Sequence, residues 1–237
     1  MQVQNKNSIR GLLRLAQSQG YKIYDRPYEL NIVGIRSATT IPNKFDDKIA
    51  VFYKTDKGVW EGKIFNATTD PGTYWLNQPM NPQGTAILQG NKQYVNSWKL
   101  GMHQGKYKAL VQAKPVPVMR DYDRNALLDF NNGKIDVGMH GINMHRANET
   151  GTTKSVDKYS AGCQVFENAE DFAKFLTMAE KHAGLYGNQF TYTLIDERAY
   201  LRALKRRGTY VVAGLVIATA IYVAYRLYTN KPIIPKF

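Results

Sequence analysis

The chain has 237 residues, 43% of them hydrophobic, and a net charge of +13. That length suits one sizeable packed domain with an appendage, or two small domains, and the composition excludes wholesale disorder. A single cysteine, Cys163, excludes an internal disulfide and a multi-cysteine metal site.

Sixteen tyrosines and many Gly, Asn and Thr point to β-rich structure with frequent turns. The positive charge suits a basic surface or an anionic partner such as wall polymer or lipid headgroups. No basic–aromatic repeat or nucleic-acid motif stands out, so no nucleic acid is expected as a partner.

In chain order, the first ten residues lack the apolar run of an export signal. Ser8 to Gln19 reads as an amphipathic helix with Ile9, Leu12, Leu13 and Ala16 on one face, stopped by Gly20. Tyr21 to Ser37 alternates like strand. Residues 1–37 are expected to pack as a helix and strand on a main domain spanning 38–195. Within that domain, Ile49 to Lys54, Gly58 to Phe65, Thr85 to Leu88, Tyr107 to Gln112 and Val116 to Arg120 read as short strands between turns. Asp121 to Asp129 reads as a loop of mixed charge. A strand within Lys134 to Met144 follows, then a polar loop, then a turn from Ser160 into a buried segment ending at Phe166. Asn168 is expected to cap a short helix with Phe172, Phe175, Leu176 and Ala179 inward, ended by Gly184. Gln189 to Ile195 is the last strand. The pattern predicts an α+β fold, mainly β, of sandwich or barrel type.

Residues 196–207 read as a basic helix leading into a transmembrane helix over 208–228, with a short tail at 229–237. Gly208 to Tyr225 carries no charge, and eighteen helical residues reach roughly 27 Å, close to a bilayer's hydrocarbon thickness. Tyrosines lie near both ends of the span. Five Lys and Arg between Arg198 and Arg207, against Arg226, Lys231 and Lys236 after the uncharged stretch, place the large domain on the cytoplasmic side.

The chemistry gathers between His140 and Phe166. A thiol nucleophile needs a base nearby and donors for an oxyanion. Cys163 follows Gly162, which lets the backbone bend, and His140 and His145 precede it. The competing reading of a lone cysteine is a small buried hydrophobe. His103 is a further base candidate or a packing histidine, and His182, late in a helix, reads as a favourable C-terminal charge. No metal or other cofactor is implied, because no Cys or carboxylate completes a set around His140 and His145.

His145, fourteen intervening residues, then Ser160-Ala161-Gly162-Cys163 resembles the signature of the L,D-transpeptidase catalytic domain (YkuD-type) family, a histidine followed at such a distance by Ser/Thr-His-Gly-Cys. His140-Gly141 is similar to the His-Gly pair that often precedes it. The close match covers about 25 residues of the chain. The resemblance implies an L,D-transpeptidase-like β-sandwich or barrel. Cys163 then matches the nucleophile that forms a thioester with a peptidoglycan stem peptide, and His145 the general base. Gly162 and Cys163 match the backbone oxyanion donors, and Ser160 shapes the turn. Ala161 departs from the pattern by replacing a histidine, and Gln164-Val165 replace a hydrophobic residue followed by Arg or Asn. Arg146, Lys154, Lys158 or Arg120 would then have to recognise the substrate carboxylate.

The expected function is therefore a membrane-anchored cysteine enzyme that hydrolyses or exchanges peptidoglycan peptide bonds, in wall remodelling or phage lysis. An inactive wall-binding or virion module and another kind of thiol peptidase are the alternatives. The expected partners are peptidoglycan and a lipid membrane through 208–228.

Overall fold

The computed structural model describes residues 2–130 and 133–198. Its elements run α1 (Gln2–Ser18), β1 (Asn31–Arg36), β2 (Asp47–Lys54), β3 (Trp60–Thr68), α2 (Thr73–Asn77), β4 (Thr85–Leu88), β5 (Lys92–His103), β6 (Tyr107–Gln112), β7 (Val116–Asp121), β8 (Ile135–Gly138), β9 (Met144–Arg146), β10 (Gln164–Phe166), α3 (Ala169–Tyr186) and β11 (Phe190–Asp196). The fold is mainly β with a few helices.

Eight strands close into a barrel in the order β1-β11-β5-β6-β9-β10-β3-β2, and β4-β7-β8 form a separate small sheet. Two barrel junctions are parallel, β1 with β11 and β9 with β10. The other six are antiparallel. Residues 1–37 thus supply a full barrel strand, with β1 between β2 and β11, as well as a helix on the outside.

Period-two alternation decides what each strand faces. Ile49 and Val51 of β2 join the main core with Ile32, Phe65, Trp98, Tyr192 and Leu194. Ala50 and Phe52 face the other way and meet Ile9, Leu12 and Leu13 of α1, together with Val33 and Ile195. The predicted apolar face of α1 is the one buried. The helix starts earlier than predicted, at Gln2, and ends as the sequence indicates. Gly20 takes φ +75, its N–H donates to Gln17 O, and Tyr21 N–H donates to Ala16 O. This is the Schellman arrangement that glycine permits.

Several boundaries differ from the sequence reading. The strand predicted from Tyr21 is confined to Asn31–Arg36. The segment before it is held by side chains instead, with Asn31 Oδ1 accepting Tyr24 N–H at 2.8 Å. The predicted strand over Lys134 to Met144 resolves into β8 and β9, which belong to different sheets. The predicted short helix is the 18-residue α3, which passes through Gly184 and stops at Gly187, φ +89. Asn168 caps it by accepting Asp171 N–H at 3.0 Å. Phe172, Phe175 and Ala179 carry it onto the main core.

His182 is not a charged cap at the helix end. It is buried, its Nδ1 accepts Leu30 N–H at 3.0 Å, its Nε2 lies 3.1 Å from Gln189 O, and burial lowers its pKa. No helix among the described residues is long and apolar enough to cross a membrane. The predicted span 208–228 lies outside the described residues, as does the predicted basic helix beyond Arg198.

One barrel end is tied by a buried ionic network. Arg36, the last residue of β1, is 1% exposed. Its Nε lies 2.7 Å from Asp70 Oδ1 and donates to Thr69 Oγ1, while Nη1 and Nη2 donate to Leu88 O and Thr69 O. Thr69 Oγ1 donates onward to Asp47 Oδ2 at 2.8 Å. Burial pushes the Asp70 carboxyl up to about 7 against the pull of Arg36. Removing one member of such a set leaves an uncompensated buried charge. Arg36→Leu is therefore expected to cost about 3–5 kcal/mol in urea unfolding, part of it recovered by adding Asp70→Asn. A loss below about 1 kcal/mol would show that the network does not hold this end of the barrel.

Candidate functional site

The site is built on the parallel junction of β9 and β10. Gln164 pairs with Met144, Val165 with His145 and Phe166 with Arg146. Met144 and Phe166 lie in the main core, so that face of the ladder points inward. His145 and Val165 point the opposite way, and Cys163 packs on the small cluster of Val165, Ala147, Val156 and Phe45. Cys163, one residue before β10, therefore lies on the same side as Val165, whose register partner is His145.

The turn before Cys163 has little freedom. Ser160 is fully buried, its Oγ donates to Cys163 O at 2.8 Å, and it accepts Gly162 N–H at 3.2 Å. Ser160 thus shapes the turn. It also engages the Gly162 N–H, which the resemblance placed in an oxyanion hole. Gly162 has φ +120, and a Cβ there would lie 2.2 Å from Ala86 O, so only glycine fits. Ala161 is half-buried.

The thiol faces the segment just before β9. Asn143 N–H donates to Cys163 Sγ, and the Sγ–H donates to Gly141 O, both at 3.4 Å. Gly141 is exposed, with φ +70. Gln112 braces this segment, its Oε1 accepting the N–H groups of His140 and Ile142 at 3.0 Å each. From the core side, Trp98 Nε1–H donates to Ile142 O at 2.7 Å.

His145 is 4% exposed and stacks on His103, ring centroids 4.0 Å apart. Its Nδ1 lies 2.8 Å from Arg146 O. A carbonyl oxygen only accepts, so Nδ1 carries the proton and Nε2 is the unprotonated nitrogen. Tyr107 Oη sits 3.2 Å from the same Nδ1 and donates to Arg146 O at 3.3 Å. The Arg146 guanidinium covers the Tyr107 ring at 4.4 Å, beside a weak surface pair with Glu149 at 3.6 Å.

Burial, reinforced by His103 and partly offset by the Arg146 carbonyl, drives the His145 pKa down to about 3. Burial lowers His103 too, with Lys106 adding to it. Burial pushes the Cys163 thiol up to about 11, with the Asn143 N–H pulling the other way. At neutral pH the site therefore holds a neutral thiol and a neutral imidazole. A standing thiolate–imidazolium pair is therefore disfavoured, and the imidazole is a weak proton acceptor as it stands.

His140 belongs elsewhere. Its Nδ1 lies 3.2 Å from Arg120 Nη2 and its Nε2 3.2 Å from Asp136 O. Arg120 is itself paired with Asp136 at 2.7 Å. His140 helps the site only through its backbone, and Arg120 is committed away from the thiol. Lys154 and Lys158 are exposed, and Lys158 lies over the Tyr74 ring.

Asn143 and Tyr107 are the residues that sequence reasoning missed. Asn143 touches the thiol with its backbone N–H, accepts Gln112 N–H at Oδ1, and meets His103 Nδ1 through Nδ2 at 3.1 Å. The signal available was an asparagine between Ile142 and Met144 in an apolar alternation.

Comparison of the chain with protein-family models, with curated proteins and with solved structures finds no match in any of the three.

The imidazole's burial predicts a pH dependence of stability. Unfolded, His145 titrates near the ordinary value of about 6.5; folded, near about 3. Between these values the unfolded chain binds a proton that the folded chain does not. The contribution of His145 to stability is therefore full above about pH 6.5 and falls as the pH drops toward about 3, by up to about 1.4 kcal/mol per pH unit. His103 and His182 act in the same direction. Asp70, held up to about 7, acts the other way over this range, so the test is a difference. Between pH 7.5 and 4.5, about three units, the urea midpoint of the wild type should lose more on acidification than that of His145→Gln. An unchanged slope in that variant would contradict a buried neutral His145.

Proposed function

We propose that the chain is a cysteine acyl-transfer enzyme of L,D-transpeptidase type acting on peptidoglycan stem peptides. The observation that carries this is the fixed tautomer of His145. Its Nδ1–H is committed to Arg146 O, so Nε2 carries the free lone pair, and His145 is the register partner of Val165 on the side where Cys163 packs.

In the proposed reaction Cys163 Sγ attacks a peptide carbonyl carbon as its proton passes to His145 Nε2. A sulfur–carbon bond forms, and the carbonyl electron pair moves onto oxygen. The tetrahedral species collapses with loss of the amine, which takes the proton from His145, and a thioester remains. Water or a second amine then releases the acyl group. The Asn143 N–H, 3.4 Å from Sγ, supplies a donor beside the reacting carbon. The thiol leaves its contact with Gly141 O in order to react. His103 holds the His145 ring by stacking, and Tyr107 braces its Nδ1 side.

The net charge of +13 suits an anionic wall polymer. The uncharged stretch from Gly208 to Tyr225 supports a membrane tether, in a virion or a bacterial membrane.

One observation favours a second reading, a silent wall-binding module. The thiol is held up to about 11, and its hydrogen-bond partners are Gly141 and Asn143, not His145. Incubation of the full chain in detergent with purified muropeptides separates the two. Stem-peptide cleavage or exchange is expected, reduced at least about 100-fold by Cys163→Ala and by His145→Ala. Binding without turnover, unchanged by Cys163→Ala, would support the module. Action on protein substrates alone would make the chain a different thiol peptidase.

A further inference from the structure

The loop after β7 reads Asp121-Tyr-Asp-Arg-Asn-Ala-Leu-Leu-Asp129. It places Asp or Asn at its first, third, fifth and ninth positions, the spacing at which calcium loops present oxygen ligands. The sixth residue, glycine in the standard loop, is Ala126, which takes the left-handed conformation all the same, at φ +59.

One carboxylate oxygen from each of Asp121, Asp123 and Asp129 lies within 4.8 Å of the other two. Calcium–oxygen distances of about 2.3–2.6 Å allow two ligands of one ion to be up to about 5 Å apart, so all three reach a common centre. A separate observation concerns Asp121. It is 1% exposed, its Oδ2 accepts Asp129 N–H at 3.0 Å, and its Oδ1 is buried with no hydrogen-bond partner among the described residues. A buried anionic oxygen of this kind is costly unless something positive meets it. The charges that act on Asp121 are those of Asp123 and Asp129, both of its own sign. Among the described residues no Lys or Arg forms an ion pair with Asp121 or Asp123.

We infer that Asp121, Asp123 and Asp129 form a binding site for a hard divalent cation, calcium, that fastens this loop to the barrel. Three carboxylates on one loop suit calcium's flexible oxygen shell, with backbone carbonyls and water completing it. Zinc prefers nitrogen and sulfur ligands, and magnesium prefers a stricter octahedron with more water.

The loop has a mechanical task. Leu128 packs with Leu76 and Ile87 beneath it, and its N–H donates to Thr40 O at 2.9 Å. The Phe130 ring lies 5.2 Å from the Arg36 guanidinium. An ion held between Asp121 and Asp129 therefore fastens both ends of the segment that carries Leu128 and leads into Phe130.

The test uses the full chain after chelator treatment, titrated with calcium chloride by calorimetry and by thermal melting. Terbium luminescence, sensitised by Tyr122 within the loop, gives a local readout. The expected result is one saturable site, a melting temperature raised by several degrees, and a terbium signal that calcium displaces. Asp123→Asn and Asp129→Asn should each weaken binding at least about tenfold while leaving the metal-free circular dichroism unchanged. Asp121 is left intact in these variants because it is buried. Absence of heat and of a melting shift, or a terbium signal unaffected by Asp123→Asn, would overturn the site. An equal or larger shift from magnesium alone would overturn its assignment to calcium.

Discussion

The placement of Cys163 and His145 depends on a three-residue strand. β10 joins β3 on one side and β9 on the other, and so closes the barrel while presenting Cys163 at its leading end. Each of its residues fastens it differently. Gln164, fully buried, accepts the Tyr192 hydroxyl at 2.7 Å from across the interior. Val165 faces outward with Cys163. Phe166 stacks on Phe175 and meets Phe65 and Phe172, which anchors α3 to the same ladder. A strand this short is held by its side chains more than by its ladder, and the thiol inherits that rigidity.

Two polar clusters among the described residues are handled oppositely. At Arg36 the barrel encloses charge and answers it with Asp70 and with Thr69 and Leu88 carbonyls. At His145 it encloses a titratable ring and keeps it neutral by burial and by a second histidine. A general base works best with a pKa near the working pH, so the depressed pKa makes the imidazole a weak proton acceptor at neutral pH. Burial also sets the reactivity of Cys163, whose thiolate is disfavoured until a partner takes its proton.

Much of the frame was legible from pattern alone. Thr85–Leu88 and Tyr107–Gln112 have the bounds that their turn residues indicate, and the apolar stripes of α1 and α3 are the faces that are buried. β5 was not legible, although it is the longest strand. Lys92–His103 lacks a clean alternation because Asn96, at φ +51, breaks the period, and the register with β11 shifts nearby. The five-residue α2 is too short to show a period. In the site, spacing pointed to His145 and Cys163, and the ladder puts both on one face. It also pointed to His140, which instead serves Arg120 and Asp136. That pairing is set by the β7–β8 register, which sequence spacing cannot display. The contacts of His103, Tyr107 and Asn143 with His145 and Cys163 likewise depend on which strands become neighbours.

The central claim is that Cys163 becomes covalently acylated with His145 as its base. Intact-mass spectrometry of the full chain, quenched in acid during incubation with muropeptides, tests it most directly. A mass increase equal to the acyl portion of the stem peptide is expected, mapped to the fragment holding Cys163, labile to hydroxylamine, and absent from His145→Ala. Turnover of muropeptides with no adduct on Cys163, or an adduct that forms equally well in His145→Ala, would contradict it.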